Sequence, residues 1–213
     1  MSLYTPGAFA SSERAVATRL IHDHPFATLV TPGAPEPSIS HLPLLLVATG
    51  EPHGTLLGHM ARANPHWSRA TAAESIAVFH GPHAYVSPSW YEKPAQAVPT
   101  WNYATLHAHG TLEVIEDPAE TRAILDLLVE RFEGGRANRW RFAMPERERD
   151  ALVGAIVAFR LRVQRIELKL KLSQNRPVAD RARVADALER EGYTEAANVA
   201  AWMREYSGFA RES

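Results

Sequence analysis

Alternating apolar and polar positions predict a chain built mainly from β-strands, with helices before, between and after them. Strands repeat every two residues, whereas amphipathic helices repeat every 3.6. The first strand-like runs are Phe26–Thr31, Ile39–Ala48, Thr55–Gly58, Ile76–Phe79 and His83–Val86. The last two runs are predicted to form a hairpin about Gly81-Pro82. Pro43 lacks a backbone N–H, so it marks an edge, a bulge or a point that faces a ligand.

The longest predicted strand, Thr100–Ile115, is also the most informative one. Its side chains alternate between two faces. Trp101, Tyr103, Thr105, His107 and His109 share one face, and Asn102, Ala104, Leu106 and Ala108 share the other. Either the aromatic and polar face meets a ligand or a partner chain, or this is an ordinary barrel strand with aromatic packing. The pattern leaves both interpretations open.

A change of phase marks a second long strand, Ile156–Leu172. Its apolar side chains occupy odd positions up to Val163 and even positions from Ile166 onward. Because a slip of one residue sends every side chain to the opposite face, a bulge or sharp bend is expected at Gln164-Arg165. Corners of this kind favour a barrel over a flat sheet.

Helical periodicity and capping residues predict the remaining elements. The predicted helices are a first one ending near His22, a short one from Pro65, Pro118–Phe132 capped by Asp117, Glu146–Leu152, Val178–Glu191 and Thr194–Tyr206. The composition changes at Pro177. The sequence therefore predicts a β domain over residues 1–176 and a helical C-terminal tail over residues 177–213.

The strand-to-helix connection at residues 54–67 has the features of an anion site. Gly58 allows a backbone or a ring to approach closely, and Asn64-Pro65 is typical of a helix start. The free N–H groups of a helix start suit a phosphate, and Arg62 adds a charged donor. A plain connection with a solvated arginine has the same pattern, so that alternative stays open.

The end of the second long strand is rich in hydrogen-bond donors. Leucines at 168, 170 and 172 alternate with Lys169, Lys171 and Ser173, and Gln174, Asn175 and Arg176 follow. A strand with solvated lysines that runs into a turn explains the pattern equally well. We expect Lys169 to be such a solvated lysine.

Together, the segments 54–67, 98–110 and 167–177 resemble the PaiB-type FMN-binding negative transcriptional regulators. These form a branch of the FMN-binding split-barrel proteins, which include pyridoxamine-phosphate-oxidase-like enzymes. The resemblance runs from the N-terminus to about Met203 and also includes Pro25-Phe-Ala-Thr-Leu-Val, Ser40-His-Leu-Pro and the segment 79–91. It implies a mainly β fold with flanking helices, namely an FMN-binding split β-barrel plus a short helical C-terminal tail. It also implies a homodimer with FMN at the interface.

The resemblance further implies which residues contact FMN. The phosphate should meet Arg62, Asn64 and the helix start that follows. The ring should lie along Ser40, His41, His59 and Met60. Trp101, Asn102 and Tyr103 are expected to close the site from the partner chain, with Lys171, Ser173 and Gln174 as further polar contacts. A lysine beside the N1 and O2 edge of a flavin would stabilise the anionic reduced ring.

Composition argues against several other classes of protein. The 213 residues include no cysteine, which excludes disulfide scaffolds and thiol catalysis and fits a reducing cytoplasm. The formal net charge of −1 gives no bulk attraction to nucleic acid or anionic membranes. No apolar stretch approaches the roughly 20 residues of a membrane span, and no signal-peptide pattern opens the chain. We therefore expect a cytoplasmic protein.

The ten histidines do not form an evident metal site. His107 and His109 would point the same way on a strand, but no nearby carboxylate completes a ligand set, so no metal is expected. Spacing gives no support for haem. The chain also lacks a nucleophile elbow, a P-loop and a dinucleotide-binding glycine motif.

The sequence says less about the function of the protein than about its ligand. The resemblance implies an FMN-responsive repressor, and the two tail helices about Gly192 resemble a helix-turn-helix. Residues 174–213 carry six Arg against seven Asp or Glu, which favours a packing or dimer-forming tail over DNA contacts. The alternatives are an FMN-dependent oxidoreductase or flavin reductase, with His41, His59 and Tyr103 as candidate acid–base groups, and a flavin-storage protein. The fold cannot choose between them.

Overall fold

The computed structural model describes residues 3–70 and 73–208, and in these residues eight strands form one sheet. The strands are β1 (Ala10–Ser11), β2 (Phe26–Thr31), β3 (Ser38–Pro43), β4 (Leu45–Val47), β5 (Thr55–Ala61), β6 (Glu74–Val86), β7 (Thr100–Ile115) and β8 (Ile156–Lys171). Their order is β3-β2-β6-β7-β8-β5-β4, and β1 pairs with β8. The registered pairs are antiparallel.

Six α-helices accompany the sheet in the described residues. They are α1 (Arg14–Asp23), α2 (His66–Arg69), α3 (Pro118–Glu133), α4 (Glu146–Gly154), α5 (Val178–Arg190) and α6 (Thr194–Tyr206). Asp117 caps α3 by accepting a hydrogen bond from the Ala119 N–H, as its position predicted. No helix in the described ranges is both long and apolar enough to cross a membrane.

The chain divides into two compact units. The first unit comprises the described parts of Met1–Asp23, His80–His107 and Glu167–Ser213, and the second comprises those of His24–Phe79 and Ala108–Ile166. The strands β6, β7 and β8 contribute residues to both. The candidate residues of the sequence analysis therefore fall into two groups, one in each unit.

In the second unit, β2 and β3 pair in register from Phe26 opposite Pro43 to Thr31 opposite Ser38. The long strand predicted over Ile39–Ala48 is wrong in its continuity, because it divides into β3 and β4 at Leu44. The Leu44 N–H bonds the Pro25 carbonyl, one step beyond the last registered pair of β2 and β3, and its side chain is fully buried. Pro43 thus ends a strand, as a residue without a backbone donor can.

The predicted hairpin about Gly81-Pro82 is also wrong, since β6 continues straight through it. A Cβ at Gly81 would lie 3.0 Å from the Ala104 Cβ and 3.1 Å from the Ala104 carbonyl oxygen. The glycine therefore serves close approach to β7 rather than a turn. Gly81 and Pro82 are both buried, so the alternation of side chains changes phase there.

Strand β7 confirms the predicted alternation, and β8 confirms the predicted change of phase. The face of β7 that carries Asn102, Ala104, Leu106 and Ala108 is buried, whereas Trp101 on the other face is 50% exposed. On β8 the large apolar side chains that are buried stand at odd positions up to Val163 and at even positions from Leu168, while Ala158 and Lys169 are buried outside this alternation. The aromatic face is not exposed throughout, because Thr105 and His109 are buried on it.

The first unit holds α1, α5 and α6, and both predicted tail helices are confirmed. The Arg19 side chain on α1 fastens α6: its Nη1 donates to the Glu205 carboxylate at 2.6 Å and to the Tyr206 hydroxyl at 2.9 Å. The guanidinium also lies over the Trp202 ring at 5.3 Å. The two helices meet at Gly192, whose φ of 75° is one that glycine adopts without strain.

Candidate functional site

A buried polar network lies in the second unit, where Ser40 and Asn64 were predicted to contact a ligand. The Asn64 Nδ2 donates to the Ser40 Oγ at 2.9 Å, and that oxygen lies 2.8 Å from the His66 Nδ1. The His66 Nε2 lies 2.8 Å from the Thr31 Oγ1, which lies 2.6 Å from the Ser75 Oγ. We call these five residues the histidine network. It ties β2, β3 and β6 to the segment that carries Arg62.

Asn64 precedes a short helix, as predicted, and that helix is a single turn. The Asn64 Oδ1 accepts a hydrogen bond from the His66 N–H at 3.0 Å. A macrodipole needs several aligned peptide units, so α2 adds little attraction for an anion. Arg62 therefore has to supply the positive charge.

Arg62 is held in one orientation by backbone carbonyls. Its Nε donates to the Gly154 oxygen at 2.7 Å and its Nη2 donates to the Ile156 oxygen at 2.9 Å. A guanidinium has five N–H donors, so these two bonds leave three for another acceptor. The side chain is exposed, and no carboxylate pairs with it among the residues that the structure describes.

A cavity of about 510 Å³ in the second unit is lined by Arg62, Trp67, Arg122, Asp150 and Val153 among others. Its size is that of a small-molecule site. Arg122 is already neutralised by an ion pair with Asp150. Of the two arginines that line the cavity, Arg62 is consequently the one with charge and donors to offer a ligand.

His41 lies on β3, whereas His59 and Met60 lie on β5, and these two strands are not hydrogen-bonded neighbours in the sheet. The His59 Nδ1 is buried and has no hydrogen-bond partner among the described residues, and burial lowers the pKa of its imidazole. His41 is exposed, with its Nδ1 3.1 Å from the Thr28 Oγ1. Met60 is buried and, by alternation along β5, points away from the face of His59.

In the first unit, Asn102 and Ser173 form a buried pair. The Asn102 Nδ2 donates to the Ser173 Oγ at 2.9 Å and to the Met203 Sδ at 3.3 Å. Ser173 has φ of 67°, a left-handed conformation that costs about 1 kcal/mol outside glycine. Gln174 braces the same turn, since its Oε1 accepts from the Leu172 N–H and its Nε2 donates to the Leu170 carbonyl.

Lys171 and Tyr103 also lie together in the first unit. The Lys171 Nζ donates to the Thr100 Oγ1 at 2.6 Å and to the Trp101 carbonyl, and it lies 5.9 Å from the centre of the Tyr103 ring. Burial lowers the pKa of Lys171, and the charges of Lys169 and Arg176 lower it further. Trp101, which lies on β7 with Tyr103, is exposed, and the centre of its ring lies 6.1 Å from that of the Tyr85 ring.

The expectation that Lys169 is solvated is wrong, because its side chain is only 7% exposed. Its Nζ donates to the Tyr4 carbonyl at 2.7 Å and lies 5.3 Å from the Tyr103 ring. Period-two alternation places Lys169 beside Lys171 correctly but cannot reveal what covers it. Tyr4 and Tyr103 provide that cover from positions distant in sequence.

Sequence reasoning missed two further polar residues. His66 was passed over as one of many histidines, although it is 2% exposed and central to the histidine network. Glu167 was not considered as a partner of His107, yet their ligand atoms lie within 4.8 Å on neighbouring strands. The conclusion that no carboxylate lies near His107 is therefore wrong, since its partner comes from 60 positions further along the chain.

The eight-stranded sheet with flanking helices places this chain among the split-barrel flavin-binding proteins. A family model described as "Putative FMN-binding domain" matches residues 3–165. The chain belongs to that family of FMN-binding domains. It is 34% identical, over 95% of its length and 97% of the relative, to protease synthase and sporulation protein PAI 2 of Bacillus subtilis. An uncharacterised protein of Aspergillus fumigatus is 28% identical with the same coverage.

Solved structures agree on the fold. An FAD- and haem-binding protein of Mycobacterium smegmatis superposes with a TM-score of 0.56 at 23% identity, covering 76% of this chain and 73% of that one. A flavocytochrome of Azotobacter vinelandii superposes with a TM-score of 0.59 at 13% identity, covering 76% and 69%. The predicted fold class and the resemblance to PaiB-type proteins are confirmed, and the family defines a flavin as the class of cofactor.

The residues present fit a flavin. The Nδ1 of His59 is a buried polar atom that lacks a partner within the described residues, and Arg62 keeps three donors for an anion. Lys171 holds a positive charge that no carboxylate neutralises in the described part of the chain. These are groups that a polar ring and a phosphate would satisfy.

Proposed function

We propose that this protein binds FMN, with the phosphate on Arg62. The observation that carries the proposal is the state of Arg62, which is fixed by two carbonyls, lines the cavity and makes no ion pair within the described residues. Among flavins, a phosphate monoester distinguishes FMN from riboflavin, and a guanidinium suits it because its donors match the phosphate oxygens. Asn64 supports the site by fixing the adjacent turn.

The flavin ring would lie along Ser40, His41 and His59, with Met60 contributing through its backbone. The network bond from Asn64 leaves the Ser40 hydroxyl oriented, and His59 offers its unpartnered Nδ1. The second group would come from the first unit of a partner chain: Trp101, Asn102, Tyr103, Lys171, Ser173 and Gln174. Of these, Lys171 would stabilise negative charge at the N1–C2=O edge of a reduced flavin.

Arg62→Ala tests the phosphate assignment. We expect the Kd for FMN to rise about 10- to 100-fold, the value of one or two charge-assisted hydrogen bonds. The Kd for riboflavin should change less than about twofold, because riboflavin has no phosphate. Titration of apoprotein with each flavin, followed by flavin fluorescence, gives both constants. Arg69→Ala, an exposed arginine seven residues away, is the matched control and should change neither. If the affinities for FMN and riboflavin fall equally, Arg62 does not contact the phosphate.

We also propose a homodimer that buries the outer face of β2 and β3. Phe26 is 65% exposed and Ile39 is 55% exposed on that face, beside Val30 and Pro43. These apolar side chains flank the polar pair Thr28 and His41, and exposed apolar residues on one face are typical of an interface. The interface is also where the family resemblance places the flavin, which makes oligomeric state and flavin affinity linked quantities.

Ile39→Asp is expected to produce monomers, because a carboxylate cannot be buried unpaired in an apolar interface. Analytical ultracentrifugation of the variant at micromolar concentration gives the mass. The control is Leu152→Asp, which places the same charge on an exposed leucine of α4. An unaltered dimer in Ile39→Asp would show that the interface lies on another face.

Two roles are compatible with a bound FMN. The uncompensated Lys171 favours an FMN-dependent oxidoreductase, since it would raise the stability of a reduced flavin. The resemblance of the sequence to PaiB-type regulators supports a negative transcriptional regulator. The tail helices support DNA contact poorly: Arg204 of α6 is paired with both Asp186 and Glu189, which leaves little charge for phosphates.

Two assays of FMN-loaded protein separate these roles. Oxidation of NADH or NADPH that depends on bound FMN supports the oxidoreductase. Binding to its own promoter region, with affinity that falls steeply as salt rises, supports the regulator. If the protein binds flavin but shows neither activity, flavin storage is the remaining role. The cytoplasmic location predicted from the sequence stays a prediction.

A further inference from the structure

Two histidines and a carboxylate come together on the neighbouring strands β7 and β8. His107 and His109 lie two positions apart on β7, so pleating sends both side chains to the same face of the strand. Glu167 lies on β8. One ligand atom from each of the three side chains lies within 4.8 Å of the other two. We call these residues the His–His–Glu cluster.

The composition and spacing of the cluster suit a metal ion. Two imidazoles and one carboxylate are the protein ligands of open zinc sites, and the same set binds other divalent transition metals. Bonds of about 2.1 Å place the ligand atoms of a tetrahedral ion about 3.4 Å apart. The atoms of the cluster are thus at most about 1.4 Å too far apart, a difference within the reach of side-chain rotation.

The cluster is more than a chance group of surface side chains. His109 is 1% exposed, and His107 and Glu167 are half-buried. The Leu3 N–H donates to the Glu167 Oε2 at 2.9 Å, which orients the carboxylate. The Glu74 Oε2 lies 3.4 Å from the His109 Nδ1. A carboxylate beside a ligating histidine is the usual outer partner in metal sites, because it fixes the tautomer and raises the basicity of the ring.

Arg165 competes with a cation for His109. Its Nη2 lies 2.9 Å from the His109 Nδ1 and 3.9 Å from the Glu74 Oε2. A guanidinium can only donate, so Nδ1 accepts from it and the ring proton lies on Nε2. An ion on Nδ1 must displace the guanidinium. An ion on Nε2 requires the ring proton to be exchanged to Nδ1, where it is donated to Glu74. In both cases metal binding ends the bond between Arg165 and His109.

The charges of these groups favour a divalent cation. Glu167 and Glu74 carry two negative charges and Arg165 carries one positive charge, so the groups around the two neutral imidazoles are net negative. A guanidinium displaced from His109 also keeps Glu74 as a partner, since the two already lie within ion-pairing distance.

We propose that the His–His–Glu cluster binds one divalent transition-metal ion of the zinc type, with Glu74 as the outer partner of His109. Three protein ligands leave one position of the ion for water. The proposal goes beyond flavin binding, because no residue of the cluster is among those assigned to FMN.

Titration of the full chain with zinc chloride tests the site. The protein is used without an affinity tag, free of flavin and treated with a chelator beforehand. Isothermal titration should give one zinc ion per chain with a Kd of about 1 µM or lower. Cobalt(II) in place of zinc should add visible absorption bands, whose intensity reports the coordination number of the bound ion.

Two ligand variants are decisive because both positions are half-buried, which favours folding. Glu167→Gln keeps the shape of the side chain and an acceptor for the Leu3 N–H, but it loses the charge. We expect Glu167→Gln and His107→Gln each to raise the Kd for zinc about 100-fold and to abolish the cobalt bands. The matched control is His22→Gln, because residues 22 and 24 form another His-x-His pair. The control should leave the Kd unchanged.

Two further variants test the surroundings of His109. Glu74→Gln should raise the Kd for zinc about tenfold, as loss of an outer carboxylate does. Arg165→Gln should lower the Kd, because it removes a cation that competes for the same imidazole.

Two outcomes would overturn the inference. A wild-type Kd for zinc above about 1 mM would show that the cluster is not a metal site. Equal Kd values for wild type, Glu167→Gln and His107→Gln would place the ion on other histidines of the chain. Neither outcome bears on the proposed function, since flavin binding is measured in separate titrations.

Discussion

Gly110→Ala is expected to prevent stable folding of the second unit. Gly110 lies in β7, where a Cβ would stand 2.1 Å from the Arg162 carbonyl oxygen and 2.9 Å from its carbonyl carbon on β8. Both obstacles are backbone atoms of a paired strand, so neither can rotate away, and the two central strands would have to separate. Overpacking of this kind costs about 3 kcal/mol or more, a large share of the roughly 5–15 kcal/mol that stabilises a domain.

Urea unfolding monitored by tryptophan fluorescence measures the effect. The matched control is Gly135→Ala, at the end of α3, where an added Cβ meets nothing within 4 Å. The control should unfold at the wild-type urea concentration, whereas the Gly110 variant should be insoluble or unfold at far lower urea. Equal midpoints for the two variants would show that β7 and β8 lie further apart at this point.

His66→Phe is expected to lower the free energy of unfolding by about 2–4 kcal/mol, because it removes a partner from two buried hydroxyls. The imidazole bonds the hydroxyls of Ser40 and Thr31, and each keeps one other partner, Asn64 and Ser75 respectively. The variant should also bind FMN more weakly, since the histidine network braces the turn that carries Arg62. His80→Phe, at an exposed histidine of β6, is the control.

The pH dependence of stability gives a second measure of His66. Burial lowers the pKa of His66 below its ordinary value of 6.5, and the charge of Arg69 lowers it further. Between the two pKa values the unfolded chain binds a proton that the folded chain does not. Stability therefore falls as the pH drops below about 6.5. Burial of His59 acts in the same direction, so His66→Phe should reduce this slope without abolishing it. An unchanged slope would contradict the burial of His66.

Several elements were predictable because their causes are local. The alternation in Thr100–Ile115 predicted both the limits of β7 and the faces of its side chains, since pleating sends neighbours to opposite sides. Asp117-Pro118 predicted the start of α3, because a cap and a proline satisfy the first turn from within four residues. The change of phase in β8 was visible for the same reason.

The errors share a different cause. Gly81-Pro82 suggested a turn, but the glycine is needed because the backbone of β7 comes so close. The side chain of Lys169 was predicted to be solvated, but Tyr103 and Tyr4 cover it. His66 carried no local signal, because the partners of its ring, Thr31 and Ser40, come from β2 and β3. In each case the deciding atoms are distant in sequence.

The sequence by itself determined the family, the fold class and the segments that carry the candidate flavin contacts, because strand alternation, helix caps and family motifs are short-range properties of the chain. Tertiary structure alone decided which of those residues keep charge and donors for a ligand. Arg62 is oriented by the Gly154 and Ile156 carbonyls, Arg122 is neutralised by Asp150, and Lys171 bonds the uncharged Thr100 hydroxyl and Trp101 carbonyl. Burial and ion pairing depend on what the remote parts of the chain bring alongside, and no local pattern records that.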